Sequence, residues 1–101
     1  MPGPRTPSEA LSWTQEAMRT GRYFPTVHFS QRLQARRVTM ADVRSAITSA
    51  SGAAPYDCPP EHGGTCWRIL GEDTEGDPLA VAVEAYLDVA TMQKVILCTV
   101  I

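Results

Sequence analysis

The sequence predicts an α+β domain, with N-terminal helices packed on a small antiparallel β-sheet. Apolar residues recur at helical spacing through the first half of the chain and alternate with a period of two in the second half. A stretch rich in Pro and Gly, Ala53 to Gly64, separates the two halves. Helices followed by strands, without alternation between them, is the pattern of an α+β fold. At 101 residues the chain falls within one domain, residues 1–101. With 44% hydrophobic and 20% charged residues it reads as globular and can bury a modest core.

The first helix opens at Thr6-Pro7-Ser8-Glu9, with Thr6 as N-cap, Pro7 at the first helical position and Glu9 completing a capping box. Ala10, Leu11, Trp13, Thr14, Ala17 and Met18 follow at helical spacing, and Gly21 is a C-terminal stop. Pro25 breaks the chain before a second helix, about Val27 to Arg37, in which Phe29 and Leu33 are four residues apart. Thr39 is the next N-cap, with Asp42 in the first turn. Met40, Val43, Ala46 and Ile47 line one face of a third helix that ends near Gly52.

Beyond the loop, Thr65–Leu70 reads as a strand stopped by Gly71 and the polar turn Glu72 to Pro78. In the next strand Leu79, Val81, Val83, Ala85 and Leu87 alternate with Ala80, Ala82, Glu84 and Tyr86, the first set facing the core. Asp88–Met92 reads as a second turn and Lys94–Ile101 as a final strand. Such short connections imply an antiparallel meander of three strands.

The longest apolar stretches, around Leu79–Ala82 and Val95–Cys98, are far too short to span a membrane, and no apolar run near the N-terminus resembles a signal peptide. The expectation is a cytoplasmic protein without a membrane partner. Three cysteines, an odd number, do not form a disulfide framework. The net charge of −2 is unevenly spread: residues 1–50 carry 7 − 3 = +4 and residues 51–101 carry 2 − 8 = −6. A basic helical half is compatible with phosphate binding, but solvated helix faces on a mildly acidic protein are the more common reason for it.

Two constellations carry chemistry. In His28-Phe29-Ser30-Gln31-Arg32 the helical repeat stacks His28 and Arg32 one turn apart, pairing a proton exchanger with a bidentate phosphate ligand. In Cys58-Pro59-Pro60-Glu61-His62-Gly63-Gly64-Thr65-Cys66, the C-x3-H-x3-C spacing leaves three readings open. Cys58, His62 and Cys66 are zinc ligands short of a fourth, or the cysteines form a redox-sensitive disulfide, or both are unpaired thiols. The cluster Glu72, Asp73, Glu75 and Asp77 lacks calcium-loop spacing and reads as a solvated turn. Trp67 and Tyr86 read as core or sheet-face residues.

His28-Phe29-Ser30-Gln31-Arg32 and Arg36-Arg37-Val38-Thr39-Met40-Ala41-Asp42-Val43 resemble the opening of a widespread bacterial domain family with an H-x-x-x-R helix motif, related to the RelE- and BrnT-like toxins. Tyr56, Cys66-Trp67-Arg68-Ile69-Leu70-Gly71, Gly76-Asp77-Pro78-Leu79 and Thr99 resemble its second half. The resemblance covers residues 27–101 and leaves 1–26 as an N-terminal helical extension. It departs at Ala80, where many relatives carry histidine, and at the closing Thr99-Val100-Ile101. It implies a RelE-like fold and a metal-independent ribonuclease, or a degenerate member of that group, with RNA and an antitoxin-like protein as partners. In that reading His28 and Arg32 are catalytic, Arg36, Arg37 and Arg68 contact substrate, and no cofactor is needed. Two other classes remain: a non-enzymatic interaction module presenting a sheet edge, and a zinc-stabilised domain built on Cys58, His62 and Cys66.

Overall fold

Helix α1 (Pro7–Thr20) starts where the sequence places it. The Thr6 hydroxyl accepts the Glu9 amide at 3.1 Å, Pro7 fills the first turn, and Gly21 ends the helix in the left-handed region at φ 79°. The computed structural model describes residues 3–87 and 93–101, so the turn expected at Asp88–Met92 lies outside the described residues. A short strand β1 (Tyr23–Pro25) leads to α2 (Val27–Arg36), capped by Thr26, and to α3 (Met40–Ser49), where Thr39 and Asp42 form a reciprocal capping box. Four more strands follow: β2 (Gly52–Pro55), β3 (Thr65–Glu72), β4 (Pro78–Leu87) and β5 (Gln93–Val100).

The fold is α+β, with three helices and a five-stranded sheet in the order β1-β5-β4-β3-β2. The central β3-β4-β5 meander is antiparallel, as expected, but the sheet as a whole is mixed. Strand β1 pairs parallel to β5 through Tyr23 and Val95, and β2 pairs antiparallel to β3 through Ala53 and Ile69. These two edge strands are three and four residues long and contain Pro25 and Pro55. Their sequences read as turn and loop because proline and glycine hide a pairing that only the long-range partner supplies.

One sheet face carries Trp67, Ile69, Val81, Val83, Ala85, Val95 and Leu97, and the helices cover it with Phe29, Val43, Ala46 and Ile47. Burying a side chain such as Phe29 stabilises the fold by about 1.5–3 kcal/mol. Helix α1, expected as an extension, belongs to this core. Ala10, Thr14, Ala17 and Met18 are buried, and α1 and α3 close each other's C-terminal ends. Gln15 Nε2 donates to the Ile47 carbonyl at 3.1 Å and Arg44 Nη1 to the Met18 carbonyl at 3.2 Å. Gly71, expected as a strand stop, lies inside β3, because α3 crosses so closely that a Cβ there would collide with the Ala46 carbonyl.

Candidate active site

The second sheet face carries Cys66, Arg68 and Leu70 on β3, Ala80, Ala82, Glu84 and Tyr86 on β4, and Ile96 on β5. Glu84 interrupts the most apolar strand of the chain, yet it is only 3% exposed. The Tyr56–Gly64 segment folds back over it. Glu84 accepts the backbone N–H groups of Glu61 at 3.0 Å, His62 at 2.8 Å and Gly64 at 3.0 Å. Burial alone pushes the Glu84 carboxyl up. The bonds from Gly64, His62 and Glu61, with a further one from the His62 ring, outweigh burial and hold it below its ordinary value. Gly64 is required for the close crossing, since a Cβ would strike the Ala85 carbonyl of β4.

The same carboxylate orients His62. Nδ1 lies 3.3 Å from Glu84 Oε1, and the ring stacks on Tyr86 with centroids 5.0 Å apart and planes 22° apart. A carboxylate only accepts, so Nδ1 carries the hydrogen of this contact and Nε2 is left for another partner. On the opposite side, Thr26 fixes the start of α2, its amide donating to the Leu97 carbonyl at 3.1 Å and its hydroxyl to the Cys98 carbonyl at 3.4 Å. A register shift opposite Ala82/Val83 lets β5 present Cys98 beside them.

Between these elements lies a cleft of about 490 Å³, lined by Thr26, Val27, His28, Cys58, Pro59, Glu61, His62, Glu84, Ile96 and Cys98. Both histidines of the chain border it, one from the α2 end and one from the loop. Its size falls within the range of small-molecule sites, roughly 300–1,000 Å³. Burial, reinforced by the charges of Glu84 and Glu61, pushes the Cys98 thiol up and disfavours the thiolate, so Cys98 is ill suited to be a nucleophile.

The basic residues expected at the site do not line this cleft. Arg32 Nη2 donates to the Val100 carbonyl at 3.3 Å, fastening α2 to the end of β5. Arg36 is exposed eight residues beyond His28, about 12 Å along the helix axis, and exposed Arg37 ends the helix in the left-handed region at φ 55°. Arg68 lies on the same sheet face as Glu84, one row away opposite Ala82, in a separate shallow groove with Ala54 and Leu70.

The zinc reading of Cys58, His62 and Cys66 requires two free thiolates. Instead the two cysteines form a disulfide, with Cα atoms 6.2 Å apart, and His62 turns to Glu84. Among the described residues no three His, Cys, Asp or Glu side chains converge as a metal-binding group. The acidic turn is closed on itself, with Asp73 accepting the Glu75 and Asp77 amides at 2.8 and 2.9 Å.

Glu84 was not singled out as a site residue from the sequence. The available signal was Glu84 itself, a lone charge within Leu79–Leu87 whose burial demands a partner. The chain matches no family model, no curated protein sequence and no solved structure.

Proposed function

We propose that the cleft is the active site of a metal-independent ribonuclease, in which His28 and His62 exchange the protons. The observation that carries this reading is the placement of both histidines on one cleft, with His62 held by a buried carboxylate. In the proposed step His62 Nε2 takes the proton of a ribose 2′-hydroxyl as its oxygen bonds to phosphorus. The bond to the 5′ oxygen breaks, and His28 gives that oxygen a proton. Glu84 holds the His62 ring and its tautomer and does not itself exchange protons. The cleft wall begins at the N-terminal end of α2, whose partial positive charge suits a phosphate. In this reading Arg32 becomes a fastening residue, while Arg68, on the neighbouring row of the sheet face, remains available for the RNA backbone.

The interaction-module reading has less support. Both sheet edges are short strands containing proline, which blunts edge pairing. The test is the chemistry of the products. Purified protein in excess chelator is expected to cleave single-stranded RNA to 2′,3′-cyclic phosphate and 5′-hydroxyl ends. It is expected to leave untouched an oligonucleotide carrying a 2′-deoxy sugar at the scissile position. Cleavage of the deoxy substrate, or 5′-phosphate ends, would rule out the proposed proton path.

A further inference from the structure

We infer that Cys58 and Cys66 form a thiol–disulfide site, a reversible clip whose co-substrate is a low-molecular-weight thiol and whose state sets how firmly one wall of the cleft is held. The Tyr56–Gly64 segment is fastened to the sheet at three points. At its start the Tyr56 amide donates to the Cys66 carbonyl at 3.1 Å, and at its end three amides reach Glu84. Between them lie Asp57-Cys58-Pro59-Pro60, two of which have no N–H to donate. Among the described residues, the only tie from this middle stretch to the sheet is the bond from Cys58 to Cys66 on β3. Cys58 and Pro59 are also the part of the loop that lines the cleft, together with Glu61 and His62.

Both cysteines are half-buried and Cys58 lines the open cleft, the side from which a small thiol would approach the bond, whereas burial pushes the Cys98 thiol up and makes it a poor competitor for exchange. Reduction consumes two small thiol molecules. Their two electrons and two protons leave Cys58 and Cys66 as free thiols, and the small thiols join in their own disulfide. His62 keeps its Glu84 and Tyr86 contacts, so reduction loosens the Cys58–Pro60 wall without removing the histidine. The clip stands apart from the ribonuclease reading; only its effect on cleavage rests on that reading.

The test compares air-oxidised protein, protein reduced with dithiothreitol, and a Cys58→Ser/Cys66→Ser double variant. Thiol titration of denatured samples is expected to count one thiol in the oxidised protein and three in the reduced. Amide exchange at position 58, the N–H of the loosened stretch, is expected to rise at least tenfold on reduction and in the variant, with the Glu61, His62 and Gly64 amides on Glu84 and the β3–β5 protection unchanged. If the ribonuclease reading holds, kcat/KM for RNA falls about tenfold on reduction, mainly through KM. Loop exchange that responds to reduction in a protein that never cleaves RNA would support the clip and sink the ribonuclease reading. Three thiols in the oxidised sample, unchanged loop exchange, or loss of protection throughout the sheet would each overturn the clip.

Discussion

A carboxylate in the middle of an apolar strand is costly unless it is bonded, and Glu84 accepts three backbone N–H groups and lies beside the Nδ1 of His62. Glu84→Ala strands those donors under the loop and is expected to cost roughly 2–4 kcal/mol in chemical denaturation. The pH dependence has a definite sign. Folding lowers the Glu84 pKa, so its contribution is complete above the ordinary carboxylate value of about 4.3 and fades as pH falls through the lower folded value. Asp42 behaves likewise. Hydrogen bonds from Thr74 and Thr39 lower it from 3.8 to about 2, so the link it makes between α3 and the β3–β4 turn is lost between those values. Amide spectra recorded during acid titration are expected to show the Glu61–Gly64 signals and those of Thr39 and Thr74 changing only below the ordinary carboxylate range. Loss of either set above about pH 5 would contradict the depressed values. Arg37 is a residue in a glycine's place. Its left-handed φ of 55° makes Arg37→Gly expected to leave stability unchanged or raise it by up to about 1 kcal/mol, read by thermal unfolding.

At the scale of elements, the N-caps Thr6 and Thr39 were legible because each has a side chain that accepts an amide three residues on, a local interaction that sequence spacing encodes; Thr26 makes the same bond and was not singled out. Strands β1 and β2 were not legible, because nothing within Tyr23-Phe24-Pro25 or Gly52-Ala53-Ala54-Pro55 specifies a partner 72 positions away or 12 to 18 positions away. Gly71 shows the same limit. Its sequence context reads as a stop, and only the crossing of α3 over β3 reveals the need for a missing side chain. Gly71→Ala is expected to push α3 off the sheet and cost at least the roughly 1–3 kcal/mol of an overpacked core. Gly52→Ala, where a Cβ meets open space, serves as the control and is expected to change stability by less than about 0.5 kcal/mol. Equal losses at the two positions would refute the close-crossing account.

At the scale of the molecule, one sheet face is a conventional core and the other forms a cleft where a loop, a bulged strand and the start of a helix meet beside Glu84. The first face was readable from alternation alone, with Val81, Val83 and Ala85 turned inward as the period of two requires. His28 and the C-x3-H-x3-C loop were noticed as separate candidates, but their convergence depends on β3, β4 and β5 lying side by side. Sequence spacing does not contain that distance. Of the expected pair, His28 borders the cleft with His62, while Arg32 bonds to the Val100 carbonyl.

The most direct test of this arrangement is kcat/KM for single-stranded RNA, in chelator, for the wild type and for His28→Ala and His62→Ala variants matched in stability. Cleavage by the wild type, with losses of about 10²–10⁴-fold in each variant, is the expected result. A wild type without activity, or variants that cleave as fast as it does, would contradict the assignment of the cleft.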